Sequence, residues 1–138
     1  MIIDATDLIM GRLAAFAAKQ ALLGEKIEIV NCEKAVITGR RKFIFAKYRH
    51  KRERGTPRKG PFILRRPSAI VKRTIRGMLP YKQGKGKIAF KNIMCYEGLP
   101  EVYAGKKLET VETANVDKVV NIGYITVADL SNFLGVKQ

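Results

Sequence analysis

"MIIDATDLIMGRLAAFAAKQALLGEKIEIVN", residues 1–31, decides the fold class. "MIIDA" reads as a short buried strand, rich in Ile and closed by Asp4. Thr6 and Asp7 are both able to cap a helix start. "LIMGRLAAFAAKQALL" then holds good helix formers and only three charged or amide residues in sixteen. Its apolar residues nearly encircle it, which predicts a buried helix ended by Gly24 at the C′ position. Gly11 inside that helix costs about 1 kcal/mol against Ala. Close approach of another backbone, RNA included, would account for it, but nothing in the sequence requires that. "KIEIVN" is a second strand and "AVIT" a third β-like run, with "CEK" between them as a tight connection or one helical turn. Strand, helix and strand within about thirty residues make a βαβ unit, hence a parallel sheet covered by helices.

Beyond Gly39 the character changes. "RRKFIFAKYRHKRER" is long enough for a helix, although Phe43, Ile44, Phe45 and Tyr48 cover more than one side of it. "GTPRKGPFILRRP" is a loop punctuated by Gly and Pro. In it Gly55, Pro57, Gly60 and Pro61 work against regular hydrogen-bonded structure. "PSAIVKRTIRGML" is a clearer helix, with Ser68 as its expected N-cap after Pro67. On a 100° wheel Ile70, Val71, Thr74, Ile75, Met78 and Leu79 fall on one half; Lys72, Arg73 and Arg76 fall on the other. "YKQGKGK" reads as a basic glycine-rich turn, "IAFKNI" as a helix and "MCYEG" as a strand. The mixed-sign stretch "EVYAGKKLETVETANVDKVVNIGYIT" has no firm reading. "TVADLSNFLG" is a short terminal helix with Thr126 and Asp129 at capping-box spacing and Gly135 at its end. No internal repeat or low-complexity tract occurs. One domain over residues 1–138 is expected, since the apolar residues of the middle third alone could not make a core.

The chain is 46% apolar, enough for a core, with a mean hydropathy of −0.11. Its apolar runs are short and interrupted by charge, so none is expected to span a membrane. Asp4 and Asp7 lie where a secretory signal would be basic and then apolar, which makes the cytosol the expected compartment. Cys32 and Cys95, far apart and in no C-x-x-C pair, read as reduced, buried, small apolar residues.

Net charge is +15, and its distribution says more than its total. Residues 39–91 hold 19 Lys or Arg and one acid, Glu53; the other 85 residues hold 8 and 11. Solvated faces mix signs, so a balance of +18 over one third of the chain points to an anionic partner. The cations come in two settings. Some sit on helices beside apolar residues and are held rigidly; others sit on Gly/Pro turns that fit an irregular groove. Arginine forks clamp phosphates and stack on bases. Phe43, Phe45, Tyr48, Phe62 and Tyr81 are interleaved with them, some for the core and one or two available for stacking on nucleotides.

Other chemistries fit less well. The single histidine, His50, lacks a Ser or Cys motif to act on, and no His, Cys or carboxylate cluster has zinc spacing. His50 is read as a bystander among cations or a polar contact to phosphate or base. "GKGK" at 84–87 lacks the G-x-x-x-x-G-K-[ST] spacing of a phosphate loop, and "TGRRK" lacks the further glycines of a dinucleotide fold. Glu109, Glu112 and Asp117 read as solvated surface. No enzymatic activity, cofactor, metal or small-molecule substrate is expected. A membrane-surface helix would pair its cations with large exposed apolar residues, and the apolar half of the helix at 67–79 is better used in the core. No helix-turn-helix, zinc finger or RNP1-type strand marks a DNA or sequence-reading module. Long basic loops on a compact domain suit folded RNA, recognised by shape and phosphate position.

The stretches "IDATDLIMGRLAAFAAK", "VNCEKAVITGRRK", "YRHKRERGTPRKGPF", "RRP" and "RTIRGMLPYKQGKGK", in this order and at these spacings, resemble the L13 family of large-subunit ribosomal proteins. The resemblance runs along nearly the whole chain and weakens after Gly98. "RERG-x-P…GPF…RRP" and the short C-terminus resemble the archaeal form. The resemblance implies a three-layer α/β/α domain on a four-stranded parallel sheet, with basic RNA-binding loops and helices. It implies a structural, non-catalytic constituent of the large ribosomal subunit in the cytoplasm, bound to large-subunit ribosomal RNA and neighbouring ribosomal proteins, with a part in early assembly. The alternative is an extra-ribosomal RNA-binding regulator of translation. The basic positions that match the family are Arg40, Arg41, Lys42, Arg52, Arg54, Arg58, Lys59, Arg65, Arg66, Arg73, Arg76, Lys82 and Lys85. Lys47, Arg49, His50, Lys51, Lys72 and Lys87 join them as candidate RNA contacts from the charge reading itself.

Overall fold

In a computed structural model, which describes residues 1–120 and 123–136, the βαβ unit forms as its sequence predicts. β1 (Ile2–Asp4) pairs in parallel with β2 (Ile27–Val30), Ile3 opposite Ile29, and α1 (Met10–Leu22) makes the crossover. β4 (Ile93–Cys95) adds to the far side of β2, also parallel, with Cys95 opposite Ile29. The strand order is β1-β2-β4. Beyond β1 the parallel ladder continues for one residue only: Glu109 bridges Ile3, taking a bond from the Asp4 N–H and donating its own to the Ile2 carbonyl.

Where four parallel strands are expected, the structure thus has three, with the Glu109 bridge at the β1 edge, and a separate antiparallel pair, β3 (Val36–Thr38) with β5 (Tyr124–Thr126). The cause is local. Asn31 takes the left-handed conformation (φ 55°), one of the few non-glycine residues that does so readily, and Cys32–Lys34 form a 3₁₀ turn. That turn carries β3 out of the sheet, where Val36 bridges Ile9 and Ile37 lies opposite Ile125.

α1 ends as its sequence predicts. Gly24 has φ 99°, its N–H bonds the Ala21 carbonyl, and the Glu25 N–H reaches Gln20, which is the Schellman pattern. Its other expected features need correction. Neither Thr6 nor Asp7 caps it: the N-cap is Ile9, with no side-chain bond, while Thr6 bonds Asp4. Nor is it buried all round. Leu13, Ala14, Ala17, Ala18 and Ala21 face the core, whereas Ala15, Leu22 and Leu23 are exposed.

The basic middle third is threaded through this scaffold. α2 (Arg41–Glu53) is followed by an irregular loop, then α3 (Pro67–Met78) and α4 (Gly84–Lys91). α3 packs chiefly on α1 and also on β4, burying Ile70, Val71 and Ile75. Pro67 is its first helical residue, where a missing N–H costs nothing. Ser68 is thus inside the helix, and its Oγ donates to Glu97 instead of capping. Met78, assigned by the wheel to the core half, is exposed, because the chain leaves helical geometry at Leu79 and buries that residue instead. α4 begins at Gly84 and so absorbs "GKGK", which had read as a turn. Gly86 is required there: a Cβ would stand 2.1 Å from the Pro80 carbonyl oxygen.

Residues 101–120, part of the stretch without a firm reading, form three short 3₁₀ turns; Asn121 and Ile122 of that stretch lie outside the described residues. α5 (Val127–Phe133) has the expected capping box between Thr126 and Asp129, and Gly135 closes it at φ 91°. The largest wholly buried side chains, among them Ile3, Leu13, Ile29, Ile75, Ile93 and Leu130, come from the sheet and from α1, α3 and α5. Cys32 is buried, but Cys95 is only half so. The two are close in space, and the neighbouring Cys95 thiol, together with burial, pushes the Cys32 thiol up, while the Cys32 Sγ–H donates to the Ile29 carbonyl. Among the described residues no helix is long and apolar enough to cross a membrane.

Candidate nucleic-acid interface

Three consecutive helices and the loop within them present the cations. Arg40 is the N-cap of α2, and Arg41, Lys42, Lys47, Arg49, His50, Lys51 and Arg52 lie on the helix; all eight are exposed. α2 fully buries only Ile44, so its other sides are free for charge. Arg54, Arg58, Lys59 and Arg65 stand on the loop and Arg66 is the N-cap of α3; these five are exposed too. On α3, Arg73 is exposed while Lys72 and Arg76 are half-buried along their stems. Lys82 precedes α4, and Lys85 and Lys87 lie in its first turns, all exposed.

The structure brings part of this set together. Lys51 of α2 lies near Lys47 and near Arg73 of α3; desolvation, then those two like charges, lowers its pKa. Tyr48, Lys51 and Arg73 line one hollow with Ile63, Leu64 and Ile70, and Arg73 and Arg76 line the next with Leu64 and Phe90. α2, the end of the loop and α3 thus form one cationic surface with apolar seams. α4 instead packs on α1 and β4, which sets Lys85 and Lys87 on a different helix support.

The electrostatics oppose folding locally. The first turns of α2, α3 and α4 contain no acid and their N-caps make no side-chain bond. Arg40, Arg41 and Lys42 crowd the start of α2, and Lys85 and Lys87 the start of α4. Cations at a helix N-terminus cost about 0.3–1 kcal/mol each through the macrodipole, and the N–H groups there lack intrahelical acceptors. Phosphate oxygens would relieve both.

Aromatic shelves hold several of the cations. Arg41 lies over the Phe45 ring at 5.1 Å, Lys51 over Tyr48 at 5.0 Å, Lys72 over Phe90 at 5.3 Å and Arg76 over Tyr81 at 4.9 Å. Arg49 lies over Phe133 of α5 at 5.4 Å. Each such contact contributes about 0.5–1 kcal/mol at exposed sites and restricts a long side chain before any ligand arrives. Sequence reasoning had counted Phe45, Tyr48 and Tyr81 as core or stacking residues, but not as shelves. It missed Phe90 and Phe133 altogether. Arg41 and Phe45 are four apart on a helix, a spacing that signals contact; Lys72 with Phe90 and Arg49 with Phe133 carry no such signal.

The loop is more structured than its composition suggests. Thr56 and Gly60 exchange two backbone hydrogen bonds, 3.1 and 2.9 Å, and the Lys59 N–H donates to Thr56 Oγ1. Positive φ at Gly55 and Gly60 makes that turn possible, which is how glycines disfavouring a helix or strand support a hydrogen-bonded turn. At its far end the Ser131 hydroxyl of α5 donates to the Arg65 carbonyl at 2.8 Å.

The model of the family "Ribosomal protein L13" matches residues 1–102, from β1 through the basic segment to just past β4. Among curated proteins, the large ribosomal subunit protein uL13 of Thermoplasma volcanium is 46% identical over 134 residues, covering 97% of each chain. That of Archaeoglobus fulgidus is 44% identical over 135 residues, 97% of this chain and 86% of its own. That of Haloarcula marismortui is 42% identical over 138 residues, all of this chain and 92% of its own. The matches extend past Gly98, where motif reading had weakened, and so cover the C-terminal helix that supports α2. With a family match over most of the length and relatives this similar end to end, the chain belongs to the ribosomal protein L13 family.

Proposed function

We propose that this chain is a structural constituent of the large ribosomal subunit, in the cytoplasm, that binds and stabilises large-subunit ribosomal RNA and contributes to early subunit assembly. The observation that carries the reading is the surface of α2, the loop and α3, the larger part of the segment 39–91 whose balance is +18, with its cations mostly exposed and partly held on aromatic shelves. Its role is positional, not catalytic. The RNA-contacting set comprises the cations from Arg40 to Lys87 with His50, and neighbouring ribosomal proteins are the remaining partners. The same reading takes the Ile3–Glu109 bridge as the place of a fourth parallel strand in a three-layer α/β/α domain spanning residues 1–138.

Sedimentation of cell extract in low and in high salt tests this. A subunit constituent stays with the large subunit in both. A chain that runs free of the subunit in both conditions, while still binding RNA, would be an extra-ribosomal regulator and would overturn the reading.

A further inference from the structure

The end of α2 and the loop enclose a cleft of about 420 Å³, lined among others by Arg52, Glu53, Arg54, Phe62 and Arg65. That size lies within the range of about 300–1,000 Å³ that receives a small organic molecule. A smooth helical backbone does not need such a hollow; it needs a convex or grooved cationic face. The chemistry of the walls is mixed in a particular way. Phe62 is 66% exposed, so its ring is available to a ligand in the cleft. One edge of the ring, at Cδ2 and Cε2, lies beside Gly60, where a Cβ would stand 3.2 Å away, and most of the ring is open to solvent. Three arginines supply phosphate forks. Glu53, the one acid among residues 39–91, also lines this cleft. A carboxylate is out of place in a site meant only for phosphates.

We propose that this cleft receives a single unpaired RNA nucleotide, its base stacked on Phe62, its phosphates held by Arg52, Arg54 and Arg65, and its amino edge read by Glu53. The proposal rests on the RNA-binding reading and adds to it a nucleotide-sized subsite with a base preference. An ionised carboxylate only accepts hydrogen bonds. Cytosine, adenine and guanine offer it an exocyclic amino donor, as in carboxylate readout of cytosine. Uracil has no exocyclic amino group, and its one edge donor, N3–H, stands between two carbonyl oxygens that the carboxylate repels, so it is accepted less well. Unpaired bases splayed from loops and bulges are what proteins read in RNA by stacking and edge contacts.

The test uses the full chain and a short RNA duplex in five forms: fully paired, or with one bulged G, A, C or U. The wild-type protein binds the G, A and C bulges about tenfold more tightly than the paired duplex, as expected for one stacked base, and the U bulge less well than these. F62A brings every bulge to the level of the paired duplex, whose affinity is unchanged; F62Y restores the preference. E53Q admits the U bulge equally. Thermal melts verify that F62A and E53Q fold. Equal wild-type affinity for bulged and paired RNA, with binding still salt-dependent, overturns the subsite and leaves the broader reading standing. A bulge preference that survives F62A also overturns it. No binding to any of the five overturns both.

Discussion

Phe45 of α2 and Phe133 of α5 lie face to face, ring centroids 4.2 Å apart and planes 2° from parallel. With Arg41 over the first ring and Arg49 over the second, the two form a column that fastens the basic helix to the C-terminal helix. α2 fully buries only Ile44, so this column is a large part of what orients its cations. F133A should cost about 1.5–3 kcal/mol, below the 3–5 of a fully buried phenylalanine because the ring is only half-buried. It should also weaken RNA binding although no charge is lost. Urea unfolding with a parallel RNA-binding assay measures both. Normal binding by a destabilised F133A would mean that α2 is oriented by other contacts.

The two faces of α3 give a paired expectation. Ile75 is wholly buried, so I75A should lose about 2–5 kcal/mol. R73A and R76A should leave folding nearly unchanged, Arg76 losing its contact with Tyr81 and the packing of its half-buried stem, and should weaken RNA binding. Unfolding by the arginine variants with a silent I75A would show that the faces are assigned backwards.

Gly11 and Gly86 both lie within helices, yet opposite outcomes are expected. A Cβ at Gly11 meets nothing within 4 Å, so G11A should stabilise the free protein by about 0.5–1 kcal/mol. A Cβ at Gly86 collides with the backbone of Pro80 and Tyr81, and G86A should destabilise by about 1–3 kcal/mol. Thermal unfolding of the two variants settles the pair. A neutral G86A would mean that α4 moves freely against the preceding turn.

The contrast shows what sequence reading could reach. Periodicity and punctuation recovered β1, α1, β2, α2, α3 and α5, because each is decided by residues within one helical turn or strand. The same local logic found the cationic segment. What it could not reach depends on partners distant in the chain. β3 has strand composition, but its exit from the parallel sheet follows from the left-handed Asn31 and from pairing with β5, about ninety residues later. "GKGK" reads as a turn until the Pro80 carbonyl shows why glycine is needed inside a helix. The shelf under Arg49 is invisible because Phe133 is far away in sequence.

Asp4 supplies a pH expectation. Burial alone would raise its pKa, but hydrogen bonds from Asn31 Nδ2 at 3.0 Å and from Thr6 Oγ1 at 2.7 Å hold it below its ordinary 3.8. A folded-state pKa below the unfolded one gives stability that is complete above 3.8 and lost as pH falls through the folded value. T6V removes one of those bonds without changing shape. It should cost about 1 kcal/mol near neutrality, discounted because the carboxylate is only half-buried. The difference from wild type should shrink at acid pH once Asp4 is protonated. Urea unfolding across a pH series measures this; a difference independent of pH would assign the cost to packing.

The last expectation concerns why so much like charge is gathered between Gly55 and Arg66. Arg52, Arg54, Arg58, Lys59, Arg65 and Arg66 repel one another, and Glu53 alone cannot offset them. The Thr56–Gly60 turn closes the tip with two backbone bonds, but the residues from Gly55 to Lys59 are exposed, so opening it uncovers little apolar surface. Ordering each residue costs about 1–2 kcal/mol of backbone entropy. Charge-assisted bonds to phosphates, each worth about 1.5–3 kcal/mol, offset that cost only in the complex. The ends are held differently, Ser131 bonding the Arg65 carbonyl and Ile63 half-buried against Tyr48 and Ile70. Hydrogen exchange should therefore be fast at Gly55–Gly60 in the free protein and slow in the assembled large subunit. Strong protection of the Thr56 and Gly60 amides in the free protein would mean that the turn stands without RNA and that its charge needs another explanation.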